Sequence, residues 1–182
     1  MNILVAYASA HGSTAQVALK IGQLLGEKGL NTVVANVKDV RSVHEFDGVI
    51  LGSAIHNGTL LKEMSSFIRA FAEELKSKHI YLWLNCIRVL EQYGEAHVLD
   101  NYLDHELLNP LRILDVAVFA GKLDLASVDW DERWALAARY DGSTWPSNFD
   151  GDYRDWNKIG AWASQVASEL LILKPAQSNA TR

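Results

Sequence analysis

Five short apolar runs, separated by segments of helical period, constrain what this chain can fold into more than any other feature. They are Ile3-Leu4-Val5-Ala6-Tyr7, a run around Thr32-Val33-Val34 within residues 30–37, Gly48-Val49-Ile50-Leu51-Gly52, Ile80-Tyr81-Leu82-Trp83-Leu84 and Val116-Ala117-Val118-Phe119-Ala120. Strands that are apolar throughout, rather than alternating, are covered on both faces and belong to a parallel sheet. Alternation with helices then predicts a three-layer, doubly wound α/β fold, and a five-stranded parallel sheet with this spacing fits the order 2-1-3-4-5. The spacing of Ala15, Val17, Ala18, Ile21, Leu24 and Leu25 predicts the first helix, stopped at Gly29. Residues 40–46 are expected to form one or two helical turns. A helix over 60–77 carries Met64, Phe67, Ile68, Phe71 and Leu75 on one face, and another is marked by Ala96, Leu99, Tyr102, Leu103 and Leu107. The last helix is expected to be capped by Asp155, with Ile159, Trp162, Val166 and Leu170 turned inward.

The 182 residues suit one domain, expected over 1–173, with a polar tail from Lys174. A formal charge of −5 and the lack of a Lys/Arg cluster argue against a nucleic-acid partner. No apolar run approaches the roughly 18 residues of a membrane span, and the chain opens on a strand rather than a signal peptide, so a cytoplasmic protein is expected. Cys86 is the single cysteine, which excludes an internal disulfide framework. His44, His79, His97 and His105 show no metal-ligand spacing.

The first strand leads to its helix through Ser9-Ala10-His11-Gly12-Ser13-Thr14. Such a loop aims backbone N–H groups and hydroxyls at one spot, beside the positive end of the helix dipole, which suits a phosphate. It has neither the Lys of a Walker loop nor a G-x-G-x-x-G. Its donors are neutral: Ser9, Ser13 and Thr14, with His11 as a possible addition and Gly12 where the backbone must come close. A capped helix start without a ligand is the alternative reading of the same residues.

Here the chain resembles the flavodoxin family, whose first loop, S/T-x-T-G-x-T, holds the phosphate of FMN. Ser9, Gly12 and Thr14 match that pattern, while His11 and Ser13 replace the commoner residues. The segment Ser53-Ala54-Ile55-His56-Asn57-Gly58 resembles the one that holds the flavin ring, where a peptide can turn to accept a hydrogen bond from N5 of the reduced ring. Asn57-Gly58 is the pair that could do so in this chain. The resemblance implies that Asn85, Cys86 and Ile87 complete the frame, with FMN as cofactor. Electron-transfer flavodoxins sandwich the ring between aromatic residues, and this chain departs from them: Ile55 and His56 stand in one loop, Asn85-Cys86-Ile87 in the other, and Tyr93 lies too far along to assign.

Three further segments, Leu84-Asn85-Cys86-Ile87-Arg88, Phe119-Ala120-Gly121-Lys122-Leu123 and Asp152-Tyr153-Arg154-Asp155-Trp156, resemble the menaquinone-dependent protoporphyrinogen oxidase branch. That branch carries an insertion before the last helix, corresponding here to about residues 124–155 with Trp130, Trp134, Tyr140, Trp145 and Phe149. These aromatics could form a lid beside the flavin or simply pin their own loop. Acidic residues outnumber Arg133, Arg139 and Arg154 in the insertion, so attraction to anionic lipid is not expected.

The expected function is an FMN-binding redox protein that takes electrons from a reductase and passes them to a protein or a small organic acceptor. An oxidoreductase acting on quinone or porphyrinogen is the second reading, and a flavin-less interaction domain a third. A signalling receiver shares the sheet order, and Lys122 would suit one. Its acidic residues, however, are replaced by Ser9 and Ser53.

Overall fold

A computed structural model describes residues 1–124, 126 and 150–173. The strands are β1 (Asn2–Ala8), β2 (Asn31–Asn36), β3 (Gly48–His56), β4 (Thr59–Leu60), β5 (His79–Asn85), β6 (Ile113–Phe119), β7 (Lys122–Leu123) and β8 (Gly151–Asp152). The helices are α1 (Ser13–Glu27), α2 (Lys62–Ala70), α3 (Ala72–Leu75), α4 (Gly94–Asn101), α5 (His105–Leu108) and α6 (Trp156–Leu173), with a 3-10 turn at Ile87–Leu90. The main sheet runs β2-β1-β3-β5-β6, all parallel, which is the expected order once β4 takes a number. β4 pairs antiparallel with the end of β3, and β7 with β8 forms a separate small ribbon.

Successive side chains of a strand point to opposite faces, and here both faces are buried. Ile3, Val5, Ile50, Tyr81, Trp83 and Phe119 lie under α1 and α6, while Leu4, Ala6, Val49, Leu51, Leu82, Leu84 and Val118 lie under α2 to α5. The expected inner face of α6, Ile159, Trp162, Val166 and Leu170, is buried as a stripe. Asp155 Oδ1 accepts from the N–H groups of Asn157 and Lys158, at 3.0 Å each, and so caps that helix. Gly29 closes α1 at φ 87°.

Three local expectations are corrected. Residues 40–46 form no helix: Ser42 Oγ accepts from His44 N–H and donates to Glu45, and such side-chain contacts compete with helical pairing. Val43 and Phe46 nevertheless cover the sheet. The helix over 60–77 starts only at Lys62, because Thr59 and Leu60 are held in β4, and it is interrupted at Phe71 (φ −109°, ψ 18°). The helix marked by Ala96 to Leu107 is two helices, since the Asp104 carboxylate accepts from Leu107 N–H and starts α5 afresh.

Candidate functional site

From β1 the chain adds β2 on one side and then returns to add β3 on the other, and a parallel sheet opens a crevice at such a reversal of strand order, outside the strands' carboxyl ends. Register sets the rim. Ala8 lies opposite Ser53, Ala54 opposite Asn85, and Asn85 opposite Phe119. The loop Ser9–Gly12, the end of β3, the Cys86–Ile87 step and Ala120–Gly121 therefore stand side by side.

The first loop is built around Gly12, in the left-handed region at φ 85°, ψ −15°, where its N–H donates to Ser9 Oγ at 2.9 Å. Gly12 brings no side-chain cap to α1, and no acidic residue stands in the helix's first turn. By contrast, α5 and α6 are capped by Asp104 and Asp155, and α2, α3 and α4, which also lack a side-chain cap, carry an acidic residue in the first turn. The opening N–H groups of α1 are thus left for an outside acceptor. Thr14 is fully buried, and its hydroxyl has no hydrogen-bond partner among the described residues. A buried hydroxyl left unmatched at an uncapped helix start fits an anion that completes it. Ser13 Oγ lies 3.6 Å from where a side chain on Gly121 would begin, so the end of β6 closes against the loop. His11 is exposed.

The segment expected to be a second loop is mostly strand. Ser53, Ala54, Ile55 and His56 continue β3, and only Asn57-Gly58 turns, between paired residues His56 and Thr59. Both turn residues have positive φ (51° and 76°), as a two-residue hairpin of the I′ class requires, and Asn-Gly is the pair that adopts it most readily. Ser53 is buried, donates to Ala54 C=O at 2.8 Å and accepts from Leu61 N–H at 3.1 Å, so its hydroxyl ties the hairpin to the start of α2. Ala54, Ile55 and Gly58 are half-buried, while His56 and Asn57 are exposed.

On the third side, Asn85 is buried with its amide turned inward. It donates to Ala120 C=O at 3.3 Å and accepts from the Trp83 indole at 3.1 Å. Cys86 is buried, its N–H donates to Phe119 C=O at 2.9 Å, and burial pushes its thiol above the usual range. Ile87 is half-buried, and Tyr93 is 80 % exposed at φ 59°.

Several neighbours escape any reading by spacing. Gly52 makes room for the Trp83 ring, since a Cβ there would meet it at 1.9 Å. Tyr102, from the end of α4, packs on Gly58, with its ring 3.3 Å from where a Cβ would sit, and its hydroxyl accepts from Arg88 at 3.3 Å. Gln16 meets Arg154, which forms an ion pair with Asp152. Apart from the Arg154–Asp152 pair, these contacts join residues 14 to 138 positions apart, so no local pattern announces them. The aromatics Trp130, Trp134, Tyr140, Trp145 and Phe149, expected as a lid or a pinned loop, lie outside the described residues.

Residues 4–142 match the family model described as Flavodoxin domain. The chain belongs to the flavodoxin family. Among curated relatives, the protein "Protoporphyrinogen IX dehydrogenase [quinone]" of Escherichia coli (strain K12) is 23 % identical over 172 residues, covering 92 % of this chain and 95 % of the relative. A flavodoxin of Streptococcus pneumonia TIGR4 superposes with a TM-score of 0.59 at 16 % identity, over 95 % of this chain and 99 % of that one. Oxidised Flavodoxin 1 from Bacillus cereus gives 0.52 at 19 % identity, over 79 % and 100 %. This chain is thus a flavodoxin-like redox protein, and its family implies a flavin cofactor. Among the described residues, no helix is long and apolar enough to cross a membrane.

Proposed function

We propose that this flavodoxin-family chain binds FMN and carries electrons between a reductase and an acceptor. The observation that carries the reading is the buried, unmatched Thr14 hydroxyl in the first turn of a helix whose opening N–H groups have no side-chain cap. Ser9, Gly12, Ser13 and Thr14, with His11 at the rim, would hold the phosphate. The ring would be framed by the backbone of Ser53 and by Ala54 to Gly58 on one side, and by Asn85 to Ile87 on the other. Bound FMN supplies one- and two-electron chemistry, so no catalytic side chain is required. The protein's part is to position the ring and set its potentials, and the Asn57-Gly58 peptide has the freedom to reorient toward it.

A second reading is an FMN-dependent oxidoreductase acting on quinone or porphyrinogen. It is favoured by the similarity to the Escherichia coli dehydrogenase across 92 % of this chain. Ile55, Cys86 and Ile87 in place of aromatic residues would also leave room for an organic substrate.

An anaerobic dithionite titration of FMN-reconstituted protein tests both. Two resolved one-electron steps, shifted in Gly58→Ala, are the expected result. A single two-electron step with turnover of quinone or porphyrinogen would favour the second reading, and absence of FMN binding would end both.

A further inference from the structure

We infer that Gln16 is a further contact for the phosphate end of the cofactor, with its amide turned by Arg154 so that it offers N–H rather than oxygen; this rests on the FMN reading above. Gln16 stands in the second turn of α1, and its N–H donates to Gly12 C=O at 3.2 Å. A helical side chain leans toward the helix N-terminus and covers the residues three and four positions earlier, here Gly12 and Ser13 of the phosphate loop.

The amide's orientation follows from its partner. Arg154 Nη1 contacts the Gln16 amide, and a guanidinium has donors only, so the atom facing it is the oxygen. The amide nitrogen, with its two N–H groups, is then on the other side. An anion is repelled by an amide oxygen and attracted by an amide N–H, so this choice matters to a phosphate.

Arg154 is itself firmly held. Its Nε donates to Asp152 Oδ1 at 2.7 Å and its Nη2 to Asp152 Oδ2, a bidentate fork. Its Cζ lies 4.6 Å from the centroid of the Trp156 ring, and its side chain is only 6 % exposed. Asp152 belongs to β8, paired with Lys122 of β7, and Tyr153 N–H donates to Gly121 C=O at 3.2 Å, beside Ser13. Arg154, Asp152 and Gly121 thus form one rigid wall against the loop. Arg154 and Asp152 are positioning residues; Gln16 alone would touch the cofactor.

Phosphate is what distinguishes FMN from riboflavin, so the test is the pair of dissociation constants measured by flavin fluorescence quenching on apoprotein. Gln16→Glu keeps an acceptor for Arg154 but replaces N–H donors with negative charge. It is expected to weaken FMN by about tenfold and leave riboflavin unchanged. Gln16→Met should weaken FMN by a smaller factor. Arg154→Met should do the same, Arg154→Lys should restore part of the loss, and the Gln16→Met, Arg154→Met double variant should lose no more than the larger single effect. Equal weakening of FMN and riboflavin, no change in either, or additive losses would overturn the inference. Failure of the unaltered protein to bind FMN would overturn the cofactor reading and this inference with it.

Discussion

The segments that follow β1 and enter the end of β3 are made of the same small and hydroxylated residues, yet they use their hydroxyls in opposite ways. Ser53 is buried with its hydroxyl matched on both sides, by Ala54 C=O and Leu61 N–H, and it serves the fold. Thr14 is equally buried, but its hydroxyl is matched by nothing described. The difference comes from what surrounds them. The β3 end folds into a hairpin that brings its own backbone partners, whereas Gly12 turns the chain directly into a helix whose opening donors point outward. A matched polar group stabilises a fold, and an unmatched one at the mouth of a crevice leaves a place that a ligand can fill.

Substitutions can break or sharpen this comparison. The largest effect is expected at Gly52, just before Ser53: Gly52→Ala would place a methyl 1.9 Å from the Trp83 ring. It should cost about 3 kcal/mol in urea unfolding, through overpacking. Next come the two hydroxyls themselves. Thr14→Val should weaken FMN by about tenfold or more, while the apoprotein keeps its stability or gains up to about 1 kcal/mol. Ser53→Ala should do the reverse, costing about 1 to 2 kcal/mol of stability with little change in FMN affinity. If both variants lost stability alike, the contrast between the segments would be gone.

The smallest effect concerns pH. The Arg154 guanidinium bonded to Asp152 holds its carboxyl below the ordinary aspartate value of 3.8. A carboxyl lowered in the folded state contributes stability above its unfolded value, and that contribution is lost as pH falls through the folded value. The stability difference between the unaltered protein and Asp152→Asn should therefore be constant from pH 7 to about 5 and then shrink as pH falls through the lowered folded value. With a side chain 42 % exposed, Asp152 should contribute less than about 1 kcal/mol, which acid titration of unfolding can resolve.

Much of this was legible in residue order. Continuous apolar runs announced a parallel sheet covered on both faces, because a buried strand has no polar side to show. Asp155 and Gly29 marked helix ends through chemistry that acts within a few residues. The loop Ser9–Thr14 was readable as a tight strand-to-helix turn for the same reason. Other expectations failed where competition was local but unannounced. Ser42 drew backbone N–H away from a helix over 40–46, and Asp104 restarted a helix expected to run on.

What the sequence by itself determined was the sequence of elements and the chemistry carried by each loop, since periodicity, caps and turn residues act over one to four positions. Only the tertiary structure decided which donors are satisfied. Whether Ser53 finds Leu61, Asn85 finds Ala120, or Arg154 finds Gln16 depends on strand register and on which helix covers which face. Those contacts join residues 8, 35 and 138 positions apart, and hydrogen bonds are too short-ranged for residue order alone to say which of them close.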